Sequence, residues 1–164
     1  QISSKAQATI WARIEARLTD VTPATVYAAS AEELQALGMS LRKAEYIKDF
    51  ADKIVSGEFD LQAVEQMSDA KAIIALSSLK GIGKWTAEMI LLFCLQRPDI
   101  LSYDDLAIQR GLRMLYHHCK ITRELFNKYQ KRYSPYGSTA AIYLWAIAGG
   151  AIDGMKDYAP AKKR

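Results

Sequence analysis

The stretch LSSLKGIGKWTAEMILLF, Leu76–Phe93, sets two glycines between apolar runs and puts a tryptophan at the start of the second run. The apolar spacing on either side of KGIGK predicts a helix, a tight turn and a second helix. Because Gly81 and Gly83 lack a Cβ, the turn can adopt positive φ and approach another surface closely. Free N–H groups at the start of the second helix, with Lys80 and Lys84, predict an anion site that suits a phosphate.

Nearly every other segment also has the 3.6-residue apolar period, with recognisable start and stop signals. Ser30 and Glu33 form a capping box, and Ser40 precedes a long helix that Gly57 ends. Sparse valine and plentiful alanine and leucine leave no convincing strand. The predicted fold class is therefore all-α, an array of short helices with a cleft beside the glycine turn.

The length and composition predict one domain over residues 1–164, because the chain has 164 residues and is 50% apolar. Helical periodicity already at the first residues suggests that the N-terminal part of this domain is lacking. The lysine-ended segment 151–164 is expected to be a loosely ordered tail. The net charge of +4 suits a polyanionic partner but is common among proteins that bind none.

Cysteine and hydropathy patterns exclude several classes of protein. Cys94 and Cys119 stand apart, so a zinc site or iron–sulfur cluster is not expected; the two thiols read as reduced packing residues, with a disulfide as the alternative. No apolar run approaches the ~20 residues that cross a bilayer, and no signal segment opens the chain. We expect no membrane association, and a location in the cytoplasm with a bacterial nucleoid or in a eukaryotic nucleus.

The string L-x-x-L-x-G-I-G-x-x-T-A resembles the helix-hairpin-helix element of DNA-binding enzymes. An ordinary helix–helix turn, whose glycines only relieve crowding, is the alternative interpretation. The resemblance implies sequence-independent contact with the DNA backbone through Lys80, Gly81, Ile82, Gly83, Lys84 and Thr86. It also implies a structural Na⁺ or K⁺ in the hairpin, bound by the main-chain carbonyls of Ser77, Leu79 and Ile82.

Three motifs in order, LKGIGKWTAEMILL, YDDLAIQRGL and YSPYGSTAAIYLW, resemble the helix-hairpin-helix DNA glycosylase superfamily, in its 3-methyladenine DNA glycosylase II branch. That branch, unlike the endonuclease III branch, carries no C-terminal cysteine cluster. Aspartate is a preferred N-cap, which accounts for one of Asp104 and Asp105. The resemblance makes Asp105 the catalytic carboxylate, which would stabilise a cationic sugar transition state, and leaves Asp104 supporting or exposed.

Trp85 stands where strand-cleaving relatives carry a nucleophilic lysine, and Lys84 is one place early, a rotation of ~100° on a helix. The resemblance therefore implies a monofunctional enzyme in which water attacks the anomeric carbon, with no cofactor needed for the chemistry. We expect the Asp105 carboxylate and the Trp85 indole on opposite sides of one cleft. The expected pocket for a flipped base is lined by Trp85, Trp145, Met89 and Tyr136, with Gln1 as the candidate wedge.

The function implied is that of a monomeric base excision repair enzyme that removes alkylated purines, such as 3-methyladenine and 7-methylguanine, from damaged duplex DNA. Two other functions stay open: a non-catalytic helix-hairpin-helix module, and a glycosylase for an oxidised or deaminated base. The sequence departs from many relatives at Gly137, where they carry an arginine before the serine of the corner. A phosphate or structural contact at that position is therefore in question.

Overall fold

The computed structural model of the protein describes residues 3–160. Within that part the chain forms ten helices and no strand, which confirms the all-α prediction. The helices are α1 Ser4–Leu18, α2 Pro23–Ala28, α3 Ala31–Ala36, α4 Leu41–Val55, α5 Leu61–Gln66, α6 Asp69–Ser77, α7 Lys84–Phe93, α8 Leu106–Tyr116, α9 Arg123–Tyr133 and α10 Gly137–Ala148.

Local capping chemistry sets most of the helix starts. Ser30 and Glu33 form the predicted capping box at α3, and the side chains of Ser40 and Thr122 cap α4 and α9. Asp60 caps α5 by accepting two backbone N–H bonds through one carboxylate oxygen. These caps satisfy N–H groups that a helix start leaves without partners, and the predicted starts of α3 and α4 are confirmed, whereas α5 was not predicted.

The chain divides into two compact units, and α6 runs from the second into the first. The first unit comprises the chain up to Met67 together with Ala75–Ile82. Its helix α4 packs against α2 and α3. The core of this unit is a cluster of buried apolar side chains: Leu18, Val26, Ala29, Leu34, Ala44 and Ala51.

The second unit comprises Ser68–Ile74 and the chain from Gly83 onward. Helices α8 and α10 form its closest packed pair. They cross at Gly111, where a Cβ would lie 2.4 Å from the carbonyl oxygen of Leu144. Fully buried side chains on both helices, Ile108, Leu112 and Leu144, fill the adjoining core.

The corner before α10 is built around Asp99. Its carboxylate accepts hydrogen bonds from Ser134 Oγ at 2.6 Å and from the Gly137 backbone N–H at 3.0 Å, so it caps α10 in place of a side chain from the helix itself. A Cβ on Gly137 would lie 2.7 Å from Asp99 Oδ1. Glycine is therefore required here by the Asp99 cap, which gives the departure at Gly137 a structural reason.

Segment 149–160 contains no helix, yet it packs against other parts of the second unit. Arg113 binds the Asp157 carboxylate with two hydrogen bonds of 2.7 and 2.6 Å, and the ring of His117 lies 4.6 Å from that of Tyr158. The predicted looseness of the tail beyond residue 160 falls outside the described residues.

Both cysteines are free thiols on the surface, so the disulfide alternative is wrong and so is their predicted role in packing. Of the helices that the structure describes, not one combines the length and apolar character needed to traverse a bilayer.

Candidate active site

The side chains of Trp85 and Asp105 meet directly in the second unit. The indole Nε1–H of Trp85, in the first turn of α7, donates to Asp105 Oδ2 at 2.9 Å. Asp105 itself is only 7% exposed, whereas Trp85 keeps 47% of its surface exposed. The expected placement on opposite sides of a cleft is wrong, because the two groups form one hydrogen-bonded pair.

Asp105 uses its two carboxylate oxygens for different tasks. Oδ1 accepts from the backbone N–H groups of Ala107 at 2.8 Å and Ile108 at 2.9 Å, and so caps α8. Oδ2 receives the indole N–H. Three donors thus fix the plane of the carboxylate, and the N-terminus of α8 stabilises its negative charge.

Asp104 plays no part in this cap. It is exposed, and its Oδ1 lies 3.9 Å from an Arg123 guanidinium nitrogen. That guanidinium also stacks over the Tyr103 ring, 3.6 Å from its centroid. Asp105 therefore makes both the cap and the indole contact, and the prediction that one aspartate caps while the other reacts is wrong.

The exposed face of α7 continues the site beyond Trp85. Trp85, Met89 and Phe93 recur every four residues, which places them on one side of the helix. We call these three residues, two aromatic side chains with a methionine between them, the aromatic stripe. Phe93 is 60% exposed, and its ring stacks on Trp145 of α10 with centroids 5.6 Å apart and planes 12° apart.

Phe93, which was not predicted, thus stacks on the predicted Trp145 and lies on the same side of α7 as the predicted Trp85 and Met89. The signal was present, because Phe93 continues the four-residue spacing of Trp85 and Met89. Flat, partly exposed aromatic faces beside a carboxylate can stack on a planar cationic ring and stabilise its charge.

Tyr136 lies elsewhere in the second unit. It lines a cavity of about 390 Å³ together with Tyr116, Tyr133 and Tyr143, and the lining contains no residue of the aromatic stripe, nor Asp105 or Trp145. Of the predicted pocket residues, only Tyr136 lines this cavity. Gln1, the predicted wedge, lies outside the described residues.

A buried carboxylate on α7 was also missed. Glu88 is 6% exposed, and its Oε2 accepts a short hydrogen bond from Ser102 Oγ. Its Oε1 lies 3.8 Å from Lys84 Nζ. Burial raises the pKa of the Glu88 carboxyl above its ordinary value, and the bonds from Ser102 and the Lys84 charge act in the opposite direction.

The first half of the glycine turn belongs to the first unit. Gly81 has a φ of +80°, and a Cβ there would lie 2.2 Å from the Tyr46 ring. Lys80 donates to Asp49 Oδ1 at 2.8 Å, and this bond lowers the pKa of Asp49 below its ordinary value. Gly81 is therefore required by the protein's own packing.

The second half of the turn opens the second unit, where Gly83 precedes α7. Gly83 has an ordinary φ of −85°, so of the two glycines in the turn only Gly81 has the expected positive φ. A Cβ on Gly83 would meet no described atom within 4 Å. No described side chain caps α7, so its first N–H groups are left for an external acceptor beside the exposed Lys84. Thr86, also predicted to bind DNA, lies half-buried in this first turn.

The carbonyls of Ser77, Leu79 and Ile82 lie close in sequence at the end of the first unit. Leu79 accepts one hydrogen bond, from Ile82 N at 3.2 Å, which leaves it a second lone pair. Within residues 3–160, Ser77 Oγ is one of two buried side-chain polar atoms with no hydrogen-bond partner. Carbonyl and hydroxyl oxygens are the donor type that a hard cation takes, and the monovalent cation stays a prediction.

Comparison with known proteins places this chain in a defined family. Residues 1–135 match the model of the HhH-GPD superfamily of base excision DNA repair proteins. The chain is 34% identical, over 88% of its own length and 66% of the relative's, to DNA-3-methyladenine glycosylase 1 of Schizosaccharomyces pombe. It is 31% identical, over 75% of its length and 43% of the relative's, to a putative DNA-3-methyladenine glycosylase of Bacillus subtilis.

Two solved structures share the fold over 96% of this chain. The first is a DNA-3-methyladenine glycosidase from Bacillus halodurans, with a TM-score of 0.82, 35% identity and 74% of that chain covered. The second is the S. pombe 3-methyladenine DNA glycosylase in complex with abasic DNA, with a TM-score of 0.80, 31% identity and 78% of that chain covered. The chain belongs to the HhH-GPD superfamily of base excision DNA repair proteins, in the branch of the 3-methyladenine DNA glycosylases. It spans 66% and 43% of the two curated relatives above.

Proposed function

We propose that this protein is a monofunctional DNA N-glycosylase that hydrolytically removes alkylated purines from duplex DNA in base excision repair. The observation that carries the proposal is the Trp85–Asp105 pair: a buried, oriented carboxylate beside an exposed indole. The names of the relatives support it, as does the abasic DNA bound by the S. pombe structure. A module that only grips DNA needs no such pair.

Purines alkylated at N3 or N7 are cationic and are good leaving groups. In the proposed mechanism such a base stacks on the aromatic stripe and Trp145, which gains about 1–2 kcal/mol when the cation is desolvated. The N-glycosidic bond lengthens and its electron pair leaves with the base. Asp105 Oδ2 stabilises the oxocarbenium ion that remains, because its charge develops beside a fixed anion.

Water then attacks the anomeric carbon through its oxygen and gives its proton to bulk solvent, which leaves an abasic site. The Trp85 N–H bond holds the carboxylate plane through this step. The amine of Lys84 is engaged with Glu88 at 3.8 Å, and the position after it carries an indole that cannot form a Schiff base. We therefore propose that the enzyme leaves the DNA strand intact.

The proposed partner is duplex DNA containing damaged bases, bound by a monomer through phosphate contacts. The free N–H groups at Gly83 and the start of α7 and the charge of Lys84 support these contacts. A Na⁺ or K⁺ held by the carbonyls of Ser77, Leu79 and Ile82 would add positive charge opposite a phosphate. The proposed place of action is the compartment that holds the genome, the bacterial nucleoid or the eukaryotic nucleus.

The test of this function is a duplex containing a single 7-methylguanine, incubated with the full chain and assayed for abasic sites. We expect strand breaks only after alkali or heat, because those treatments cleave abasic DNA that the enzyme leaves unbroken. Duplexes without damage and with 8-oxoguanine are the controls. Strand breaks without alkali would contradict the monofunctional mechanism. Absence of abasic sites would contradict the proposed glycosylase function. Release of 8-oxoguanine alone would favour the alternative of a glycosylase for an oxidised base.

The two glycines of the turn give a second prediction. Gly83→Thr keeps a good N-cap, and a Cβ at this position meets no described atom within 4 Å, so stability should be unchanged while the affinity for duplex DNA falls about tenfold, since the added side chain blocks backbone approach. Gly81→Ala should instead destabilise the protein by about 2 kcal/mol, because alanine is strained at positive φ and clashes with Tyr46.

Thermal unfolding and fluorescence anisotropy with a labelled duplex measure both properties of these variants. Equal DNA affinities for Gly83→Thr and the wild type would contradict the proposed backbone contact. A stable Gly81→Ala variant would contradict the close packing of the turn against Tyr46.

A further inference from the structure

Two side-chain hydrogen bonds join α7 to the segment Ser102–Asp105. Trp85 Nε1 donates to Asp105 Oδ2 at 2.9 Å, and Ser102 Oγ donates to Glu88 Oε2. The two partners on α7 are three residues apart, and so are the two partners on the segment. The earlier residue on α7 pairs with the later residue on the segment, so the two pieces of backbone run antiparallel to each other. We call the Trp85–Asp105 bond the first rung and the Glu88–Ser102 bond the second rung.

The second rung is the more deeply buried. Ser102 is 0% exposed and Glu88 is 6% exposed. A buried carboxylate is costly unless it is paired and hydrogen-bonded, and an apolar side chain of similar volume would serve packing as well or better. Packing of the core alone therefore does not explain a glutamate at this position.

The second contact of Glu88 is with a residue next to the glycine turn. Its Oε1 lies 3.8 Å from the ammonium of Lys84, in the first turn of α7. One carboxylate thus contacts the start of α7 through Lys84 and the segment that leads to Asp105 through Ser102. The remaining charged groups that act on it are Asp104 and Arg123, which influence it more weakly.

We propose that Glu88 is a positioning residue for Asp105. By holding Ser102 it fixes the segment that precedes α8, and so keeps Asp105 Oδ2 on the Trp85 indole and aimed at the sugar. This role rests on the proposed glycosylase function for its effect on rate. The geometric part, the dependence of the Trp85–Asp105 bond on Glu88, can be tested without any activity.

The variants that test it are Glu88→Ala, Ser102→Ala, their double mutant and Glu88→Gln. Glutamine retains an oxygen that accepts the Ser102 hydroxyl, whereas alanine does not. We expect Glu88→Ala to lower the single-turnover rate of 7-methylguanine release by about 30-fold, because small misplacements of a reacting group are costly in rate. Glu88→Gln should stay within about threefold of the wild type.

Because both residues act through one bond, the double mutant should lose no more than Glu88→Ala alone. Affinity for undamaged duplex DNA should change by less than about threefold in Ser102→Ala, since that hydroxyl is buried away from any DNA. Additive losses in the double mutant, or equal rates for Glu88→Ala and the wild type, would overturn the proposal.

The readout independent of activity is solvent exchange of the Trp85 indole N–H, followed by NMR and assigned with Trp85→Phe. Glu88→Ala should accelerate this exchange at least about tenfold, because the bond to Asp105 opens more often. Ile121→Ala, at a buried position outside the two rungs, is the control for general destabilisation. Unchanged exchange in Glu88→Ala, or equal acceleration in Ile121→Ala, would overturn the positioning role. If Glu88→Ala accelerates the exchange but the wild-type protein releases no base, only the proposed glycosylase function is contradicted.

Discussion

Asp105→Asn is expected to lower the rate of base release by about 10²–10³-fold, the usual effect of removing one electrostatic contact to a transition state. Asparagine is as good an N-cap as aspartate, so one side-chain oxygen can still accept from Ala107 and Ile108. The amide group then faces the Trp85 N–H, donor against donor, and carries no charge to stabilise the oxocarbenium ion. The loss should fall on the chemical step, with stability nearly unchanged.

Single-turnover assays on the 7-methylguanine duplex measure this effect, and two variants control for it. Asp104→Asn removes a neighbouring but exposed carboxylate and should retain nearly full activity. Asp60→Asn alters a cap of the same geometry at α5, with bonds of 2.9 and 3.1 Å, and should also leave the rate unchanged. A wild-type rate in Asp105→Asn, or an equal loss in Asp104→Asn, would remove Asp105 from its proposed role.

Gly111→Ala is expected to reduce the free energy of unfolding by about 3 kcal/mol or more, the upper range for overpacking. The added Cβ would lie 2.4 Å from the carbonyl oxygen of Leu144 and 3.0 Å from its carbonyl carbon and Cα. These are backbone atoms of α10 and cannot rotate aside as a flexible side chain can. Relief requires α8 and α10 to move apart, which opens gaps around the fully buried Ile108, Leu112 and Leu144.

Chemical denaturation followed by far-UV circular dichroism measures this loss, since the second unit consists largely of helix. Gly149→Ala is the matched control, because a Cβ there would lie 3.3 Å or more from its neighbours and the backbone φ is −80°. That variant should stay within about 1 kcal/mol of the wild type. A Gly111→Ala protein as stable as the wild type would mean that the two helices do not approach as closely as the structure has them.

Local features were readable from the sequence because they depend on residues a few positions apart. Caps such as Ser40 and Thr122 act on N–H groups within three residues, and Gly81 takes a backbone conformation that other residues avoid. The helical period and these stop signals therefore predicted the all-α class. The identity of the family followed from motifs that combine such local features in order.

The arrangement of the site depended on contacts between distant residues. Which of two adjacent aspartates would face α7 was set by the path of the segment before α8, so the pairing of Asp105 with Trp85 could not be read from spacing. The same holds for Glu88 with Ser102 and for Phe93 with Trp145.

The sequence by itself thus determined the all-α class, the glycine turn and the family, since short-range hydrogen bonding and backbone sterics decide them. The tertiary structure alone decided that the Asp105 carboxylate, besides capping α8, also binds the Trp85 indole. It alone also decided that Tyr46 occupies the space beside Gly81, whereas no described atom occupies the space beside Gly83. The physical reason is that the Trp85–Asp105, Glu88–Ser102 and Phe93–Trp145 contacts join residues 14 to 52 positions apart, whose distances are set by how helices pack and not by the sequence between them.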